Sequence, residues 1–223
     1  MSARDTPALR VQKWSLAALL ATALVAAPAV AGAVPATAEQ AGFVDIRTVI
    51  PDAIVDLRYA TADNFVGVAL YPPDARCLVH ESLAPGLAAA AAVFRASGRK
   101  LVFWDCYRPH SVQQRMFDEV PDPNWVARPG TSARSHESGR SVDVTLADAH
   151  DGRLLDMGTG FDDFSSRAKA FATDGVSAEQ QANRAALRKG MAQGGLTVYS
   201  GEWWHFDGPD ANVGQPILDV RLN

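Results

Sequence analysis

The chain has 223 residues, of which 48% are hydrophobic and 21% are charged, and its formal net charge at pH 7 is −4. This is the composition of an ordinary globular protein. The acidic balance argues against a nucleic-acid-binding protein, which would present a basic face, and no internal repeat follows the alanine-rich start. We therefore expect a globular chain without a nucleic-acid partner.

The first 38 residues have the pattern of a secretory signal peptide followed by a small-residue leader. Arg4, Arg10 and Lys13 precede an apolar run, and small residues follow it. The alternative is an uncleaved membrane anchor, but the apolar core is short and Pro28 interrupts it, so we favour removal. We expect an exported protein, periplasmic or secreted, with no stable membrane association after the signal peptide is removed.

The remaining residues, 39–223, suffice for a single domain with one core. Leaving out the three basic and one acidic residues of 1–38, they carry 18 basic and 24 acidic residues, a net charge of −6. Cys77 and Cys106 are too few for a structural zinc cluster of cysteines. In an exported protein an even pair predicts a disulfide, and the alternative is two buried free thiols.

Helices and strands are predicted in an irregular order after an extended segment over 42–59, which Pro51 interrupts. Ser82 is predicted to cap the first helix, and Ser177 with Gln180 has the pattern of a capping box. Because a regular β-α-β alternation is missing, we expect an α+β fold: a single compact domain with a mostly antiparallel sheet flanked by helices. The predicted helices span 82–96, 111–120, 165–172 and 177–193, the strands 101–105, 142–146, 197–200 and 203–207, and a loop 122–134.

The stretch "SHESGRSVDVTL", residues 135–146, carries the first signal of a functional site. His136 precedes Gly139, and Asp143 follows in a β-branched run that is typical of a strand. One interpretation is an ordinary polar loop that enters a strand. The other is half of a metal site, because an imidazole and a carboxylate are both zinc ligands. In that case a turn at Gly139 brings the two side chains to one metal.

The stretch "SGEWWHFD", residues 200–207, offers the other half in a predicted closing hairpin. A catalytic zinc has three protein ligands and one open position, so His205 is a candidate third ligand. Glu202 is placed to act as a general base, since the neighbouring tryptophans lower the local dielectric and raise a carboxylate's pKa. Residues three apart in a regular strand point to opposite faces, so these two converge only through a turn or bulge near Gly201.

A single histidine in a strand is more often a packed, hydrogen-bonded residue than a ligand. We expect such ordinary roles for His80, His110 and His150, with the last two exposed to solvent. Arg108, in "WDCYRPHS", differs because Pro109 stiffens the turn after a buried strand. An arginine held there can donate two hydrogen bonds to an oxyanion or a carboxylate, and the alternative is a surface arginine paired with an acid.

In this order the stretches resemble the D-alanyl-D-alanine dipeptidases, the VanX-like branch of the zinc DD-peptidases. The resemblance spans the chain from about Val44 to Asp207, and it implies a compact α+β domain with an antiparallel sheet around the zinc. The segments that carry it are "RYATADNF" (58–65), "WDCYRP" (104–109), "SHESGRSVDVTL" (135–146), "MGTGFDDF" (157–164) and "EWWHF" (202–206).

The resemblance implies one zinc ion per chain, held by His136, Asp143 and His205. It also implies that Glu202 is the catalytic base and that Arg108 stabilises the transition state. The cofactor prediction and the prediction of an enzyme both follow from this match of motifs.

The family's substrate-binding residues map onto Tyr59 and Tyr71, and onto Asp162 as the acid that holds the ammonium group of a dipeptide. One departure concerns the substrate carboxylate: Arg134 stands where a serine is usual in the family. Ser135, or Arg134 itself, is then the candidate carboxylate contact.

A second departure is Ser141, which stands two residues before Asp143 where the family usually has alanine. The predicted function of residues 39–223 is zinc-dependent hydrolysis of the small dipeptide D-Ala-D-Ala to free D-alanine. The alternatives are a zinc DD-carboxypeptidase or endopeptidase acting on peptidoglycan stem peptides of the cell wall, a non-catalytic zinc-binding wall module, and a structural exported domain without metal. The sequence leaves the oligomeric state open.

Overall fold

The computed structural model of the protein describes residues 37–223, which lie within one compact unit. Apart from Thr37 and Ala38, the predicted signal peptide and leader therefore lie outside the described residues. Within the described part, no helix has both the length and the apolar character needed to span a membrane.

The described residues form seven strands and four α-helices, which are joined by loops and short 3-10 turns. The strands are β1 (Phe43–Asp45), β2 (Ile54–Val55), β3 (Leu78–His80), β4 (Arg99–Asp105), β5 (Ser141–Asp148), β6 (Thr197–Val198) and β7 (His205–Asp207). The helices are α1 (Ile46–Val49), α2 (Ala84–Ala96), α3 (His110–Glu119) and α4 (Ala178–Gln193).

A five-stranded sheet lies at the centre of the fold, with its strands in the order β2-β4-β5-β7-β6. β2 is parallel to β4, and the other three pairs are antiparallel. β1 and β3 form a separate antiparallel pair. β4 and β5 are buried over most of their length, as expected for strands that are covered on both faces. The predicted α+β fold with a mostly antiparallel sheet is confirmed.

The two long helices pack together beside the sheet. α2 contacts both β4 and α4. The helices approach closely because α4 presents Gly190, where a Cβ would lie 2.2 Å from Cζ of Phe94. The predicted capping box starts α4: the backbone N–H of Gln180 donates to Oγ of Ser177 at 3.2 Å, and that of Ser177 to Oε1 of Gln180 at 2.8 Å. Local sequence signals therefore set the start of this helix.

Two predictions near the N-terminal end are wrong in detail. Residues 46–49 form α1 in place of extended chain, because the side chain of Asp45 accepts a hydrogen bond from the backbone N–H of Arg47 at 2.9 Å and caps the helix. Ser82 does not cap α2, which begins two residues later. Its hydroxyl lies 2.9 Å from Nδ1 of His80, so a contact with the preceding strand replaces the cap.

The predicted helix over 165–172 is also wrong, since it contains only the 3-10 turn Ser166–Ala168. The guanidinium of Arg184, on α4, donates to the backbone carbonyls of Arg167 and Lys169 at 2.8 and 3.2 Å. Those carbonyls would be acceptors within a continuous helix. The tertiary contact with a buried arginine therefore overrides a weak local preference.

The Sγ atoms of Cys77 and Cys106 lie at disulfide distance, as predicted, with their Cα atoms 5.3 Å apart. The bond links the residue before β3 to the residue after β4. Cys106 lies between Asp105 and Arg108 in the sequence. The crosslink therefore restrains the segment that carries both of these side chains and the Cys106 carbonyl.

Replacing both cysteines by alanine is expected to lower the free energy of unfolding by about 3 to 4 kcal/mol, because the unfolded chain regains the entropy of a loop closed over 29 residues. Denaturant unfolding without reductant measures this difference. Wild-type protein treated with reductant should match the double variant. Equal stabilities of the variant and the oxidised wild type would contradict the prediction.

Candidate metal centre and active site

Three strands of the central sheet align the polar groups of the site in one row. In the strand register, Asp143 of β5 lies opposite Asp105 at the end of β4 and opposite His205 at the start of β7. His136 comes from the 3-10 turn Ser135–Ser138, which precedes β5. Both histidines and both aspartates are buried. The pairing of the strands thus gathers residues from distant parts of the sequence.

The possible ligand atoms of His136, Asp143 and His205 meet in a tight cluster. Nε2 of His136 lies 3.0 Å from Nδ1 of His205 and 3.2 Å from Oδ1 of Asp143. Nδ1 of His205 lies 3.0 Å from the same carboxylate oxygen. The structure therefore brings together the three residues that the sequence predicted as metal ligands.

The turn that carries His136 depends on Gly139. This glycine ends the 3-10 turn with φ at +65°, in the left-handed region that favours glycine. A Cβ at this position would lie 2.6 Å from Cε1 of Phe43 and 3.1 Å from the backbone nitrogen of His80. Both conformation and space require glycine here, as expected for the predicted turn between His136 and Asp143.

Glu202 lies in the turn before β7 and not in the strand itself. Its side chain and that of His205 therefore approach each other, which two residues three apart in a regular strand would not do. Its backbone N–H donates to the carbonyl of Tyr199 at 3.3 Å, and its Oε2 lies 3.9 Å from Nδ1 of His205. The side chain is 25% exposed and faces the metal-ligand cluster from the solvent side. Glu202 therefore lies beside the three candidate metal ligands without being one of them.

Arg108 is held rigidly beside the cluster. Its Nη2 and Nε donate to Oδ2 of Asp105 at 2.6 and 3.1 Å, and its Nη1 donates to Oε1 of Gln113 at 2.7 Å. Its guanidinium carbon lies 5.2 Å from the ring centroid of Tyr59. Arg108 is paired with an acid, as the alternative interpretation expected, but it is not a surface arginine: the acid is fully buried and the guanidinium faces the cavity.

Tyr71 lies behind Arg108 and does not reach the cavity described below. Its hydroxyl donates to Oδ1 of the buried Asp105 at 2.7 Å, and Arg108 occupies the other oxygen. The residue predicted to contact substrate therefore supports the arginine through its carboxylate partner.

Asp162 and Tyr59 form a second polar pair. The hydroxyl of Tyr59 lies 3.2 and 3.1 Å from the two carboxylate oxygens of Asp162. Asp162 has φ at +55°, an uncommon backbone conformation for a residue other than glycine. The loop thus accepts a strained conformation where a predicted substrate-binding carboxylate faces the site.

A cavity of about 530 Å³ opens over these groups. Ser135 lines it, with φ at +49° and its Oγ 3.4 Å from Nε2 of His205. Arg134 also lines the cavity. The volume suits a small-molecule site with convergent polar groups. The polar groups of the centre that line it are Arg108, His136, Asp143, Asp162, Glu202 and His205.

The family model described as D-ala-D-ala dipeptidase matches residues 39–223 of the chain. The chain belongs to the D-Ala-D-Ala dipeptidase family. It is therefore a peptidase, and the family predicted from its motifs is confirmed. Its site residues come from the same segments on which the resemblance rests.

Relatives of this dipeptidase family support the assignment. The D-alanyl-D-alanine dipeptidase of Escherichia coli (strain K12) is 40% identical over 175 residues, which cover 78% of this chain and 88% of that protein. The D-alanyl-D-alanine dipeptidase of Enterococcus faecium is 27% identical over 183 residues, covering 74% and 90%. A solved mutant of the vancomycin resistance D,D-pentapeptidase VanY, in complex with Zn(II), is 18% identical and covers 59% of this chain and 72% of that chain. Its TM-score of 0.38 makes that likeness too distant to inform the fold.

The hydrogen bonds of the two histidine rings show that the cluster of His136, Asp143 and His205 is arranged to bind a metal ion. Nδ1 of His136 lies 2.8 Å from the carbonyl oxygen of Cys106, so it carries a hydrogen, and a neutral ring then presents a lone pair at Nε2. Nε2 of His205 lies 3.0 Å from Oδ1 of Asp207, so Nδ1 is the free position of its neutral ring. Two nitrogen lone pairs and the Asp143 carboxylate then face one another.

Such a set of acceptors requires a cation or a proton at its centre. Tetrahedral zinc with bonds of about 2.0 to 2.1 Å separates its ligand atoms by about 3.3 Å. The distances within the cluster are 3.0 to 3.2 Å, close to that value. Three protein donors with an open side toward a cavity are typical of a catalytic zinc site. The donor set of this dipeptidase family member therefore fits zinc.

Without a metal, the proton takes the central position. Burial disfavours the charged ring, but the hydrogen bonds with Asp143 and Asp207 outweigh it and raise the pKa of His205 to about 10. Burial disfavours the charge of Asp143 as well, yet His136 and His205 hold the pKa of that carboxyl well below its usual range. A metal ion must therefore displace a proton from His205 when it binds.

The two carboxylates that face the cavity hold protons more tightly than usual. Burial raises the pKa of Glu202 and the negative Asp143 adds to this, although His205 opposes the shift. Burial and then Asp143 also raise the pKa of Asp162 well above its usual range, with Arg108 opposing. Perturbed carboxylates in a cleft are typical of an active site.

Sequence reasoning missed three supporting residues in this family member: Asp105, Gln113 and Asp207. Asp105 stands inside the quoted "WDCYRP", and Asp207 ends the quoted "SGEWWHFD", so each was close to a recognised motif. His110 was expected in solvent, but its Nδ1 lies 2.5 Å from Oε1 of Glu137. The contacts of Asp105 and Gln113 with Arg108 and of Asp207 with His205 are local in sequence, but the sequence pattern does not show which way these side chains point. His110 and Glu137 are 27 residues apart, so motif spacing does not reveal their contact.

Metal affinity of the chain is expected to rise about tenfold per pH unit from about pH 7 to about pH 9, because the pKa of His205 lies near 10 and one proton leaves for each ion bound. Zinc affinity measured by competition with a chelator of known pH dependence checks this. A pH-independent affinity over that range would show that His205 is not protonated in the metal-free chain.

Proposed function

We propose that the chain is a zinc-dependent dipeptidase that hydrolyses D-Ala-D-Ala to free D-alanine. One observation carries the proposal: three metal-ligating atoms, the Glu202 carboxylate and the Arg108 guanidinium converge on one cavity. Membership of the D-Ala-D-Ala dipeptidase family supports the substrate. His136, Asp143 and His205 would hold one zinc ion per chain.

When bound, zinc would polarise the scissile carbonyl and make water acidic enough to lose a proton near neutral pH. Glu202 accepts that proton as the water attacks the peptide carbonyl and then delivers it to the nitrogen of the departing amine. Its raised pKa supports the first transfer, since a more basic carboxylate accepts the proton of the water more readily and holds it until the amine departs.

Arg108 stabilises the negative charge that develops on the carbonyl oxygen. Asp105 and Gln113 hold its guanidinium before substrate arrives, so little reorganisation is needed during the reaction. The side chain is 11% exposed, and its charge acts where little water can screen it.

Asp162 binds the free ammonium group of the dipeptide, with Tyr59 orienting its carboxylate. A positive ligand would offset the repulsion between Asp162 and Asp143 that raises the pKa of Asp162. Ser135 or Arg134, which both line the cavity, would contact the substrate carboxylate. A site that holds the ammonium group favours free dipeptides over longer chains.

The first alternative is a zinc DD-carboxypeptidase or endopeptidase that acts on peptidoglycan stem peptides. It would use the same ligands, but it would not need a carboxylate for a free ammonium group beside the scissile bond. The second alternative, a non-catalytic zinc-binding wall module, would need neither Glu202 nor Arg108. Their common position on the cavity favours an enzyme.

We propose in addition that the enzyme is exported and acts in the periplasm or outside the cell. The signal-peptide pattern at the start of the sequence supports this location. The Cys77–Cys106 pair at disulfide distance supports it as well, because disulfides persist in oxidising compartments.

The purified chain is expected to release free D-alanine from D-Ala-D-Ala, and a zinc chelator should abolish the release. Chromatographic detection of D-alanine with and without chelator, followed by zinc addition, makes the measurement. Parallel incubation with a stem pentapeptide separates the alternatives: D-alanine from the pentapeptide alone would indicate a carboxypeptidase. No release from either peptide by zinc-loaded protein would favour the binding module.

Replacing Glu202 by alanine is expected to lower kcat by about 10²- to 10⁴-fold while zinc content stays near one ion per chain, because the general base is not a ligand. Replacing His205 by alanine should instead lose zinc together with activity. Steady-state kinetics and zinc analysis of the same preparations separate these effects.

Glu119→Ala is the matched control, since Glu119 is an exposed carboxylate at the end of α3. It should leave both kcat and zinc content unchanged. Near-normal turnover of Glu202→Ala would remove Glu202 from the mechanism.

A further inference from the structure

Ser141 and Asp207 form a hydrogen-bonded pair beside the three candidate metal ligands, and Asp207 also lines the cavity. They lie opposite each other in the register of β5 and β7. Oγ of Ser141 donates to Oδ1 of Asp207 at 2.6 Å, and the serine is fully buried. A short bond from a hydroxyl to a carboxylate is charge-assisted and stronger than a neutral one. This serine therefore holds the carboxylate in one position.

Asp207 in turn holds His205. The two residues are two apart in β7, so their side chains lie on the same face of the strand. Nε2 of His205 donates to Oδ1 of Asp207 at 3.0 Å. With the hydrogen on Nε2, the neutral ring directs its Nδ1 lone pair at His136 and Asp143, whose ligand atoms are both 3.0 Å away.

We propose that Asp207 is a positioning residue for the metal centre and that Ser141 supports it, forming a Ser141–Asp207–His205 triad that presents Nδ1 of His205 to zinc. A carboxylate behind a metal-ligating histidine sets the tautomer and orientation of the ring and raises its basicity. This inference rests on the zinc site of the proposed function, and it goes beyond that site by assigning roles to two residues that neither ligate metal nor act on substrate.

The two supporting residues of the triad depend on each other. Here the serine hydroxyl and the carboxylate of Asp207 occur together, across one pair of strand positions. Ser141 and Asp207 therefore act as one unit, and each has its full effect on the position of His205 only in the presence of the other.

A second hydroxyl lies near the same nitrogen of His205. Oγ of Ser135 is 3.4 Å from Nε2, beyond the usual range of about 2.7 to 3.2 Å for an N–H···O bond. The carboxylate of Asp207 is closer and charged, so it is the stronger acceptor. The hydrogen bond with Asp207 therefore determines the tautomer of His205.

The test measures the dissociation constant of Zn²⁺ by chelator competition at one pH, in the wild-type chain and its variants, with no substrate present. Asp207→Ala is expected to weaken zinc binding about 10- to 100-fold. Asp207→Asn keeps an oxygen that can accept from His205, so it should lose less. Ser141→Ala should weaken binding about 2- to 10-fold, the effect of one hydrogen bond.

The decisive comparison is the double variant Ser141→Ala/Asp207→Ala. Ser141 acts through Asp207, so removing its hydroxyl should have no further effect on zinc affinity once Asp207 is alanine. Equal effects of Ser141→Ala in both backgrounds would overturn the triad. An unchanged zinc affinity in Asp207→Ala would overturn the role of Asp207.

Thr197→Ala is the matched control, because Thr197 pairs with Asp207 from the other neighbouring strand and is exposed. It should leave zinc affinity unchanged, and a loss as large as that of Asp207→Ala would show a general effect on β7. Thermal unfolding of the metal-free proteins identifies variants that do not fold. If Asp207→Ala is among them, Asp207→Asn and Ser141→Ala decide the question: wild-type affinity in both overturns the proposal.

These outcomes separate the triad from the proposed function. If the wild-type chain binds no zinc, the proposed function fails and takes the triad with it. If the wild-type chain binds zinc and releases D-alanine while the variants keep full affinity, the triad alone fails.

Discussion

The antiparallel pairing of β5 between β4 and β7 is the constraint on which the active site depends. It places Asp143 opposite both Asp105 and His205, so one row across the sheet contains a carboxylate and an imidazole of the proposed metal site and the acid that holds the arginine. A register shift of one residue would turn these side chains to the other face of the sheet. The buried apolar length of β4 and β5 prevents such a shift, so the core of the protein maintains the geometry of the site.

Three of the groups that face the cavity are each held by a partner in the fold. The Cys106 carbonyl accepts from the ring of His136, Asp207 accepts from the ring of His205, and Asp105 holds Arg108. The Cys77–Cys106 crosslink lies within this supporting layer, since the cysteine that supplies the carbonyl is also one end of the bond. Stability and site geometry therefore share the same residues, which is how a site keeps its ligands within tenths of an ångström of their working positions.

Negative charge is concentrated in the cavity. Asp143, Glu202 and Asp162 all line the cavity, with Arg108 and the protonated ring of His205 as counter-charges, and burial together with the negative Asp143 raises the pKa of the latter two acids. Such an arrangement has a lower free energy when cations occupy it. A zinc ion beside Asp143 and a substrate ammonium beside Asp162 would provide them, so the electrostatics of the cavity favour the proposed metal and substrate.

The sequence by itself determined the fold class, the long central strands, the capping box of α4, and the residue types of the metal cluster, because these depend on local patterns and on motifs kept in order. It did not predict that Arg184 would suppress a helix, nor that Tyr71 would support Asp105 from 34 residues away. Only the tertiary structure decided that Ser141 and Asp207 would meet across a separation of 66 residues. The physical reason is that strand register and buried hydrogen bonds depend on how the whole core packs, and no local stretch of sequence specifies that packing.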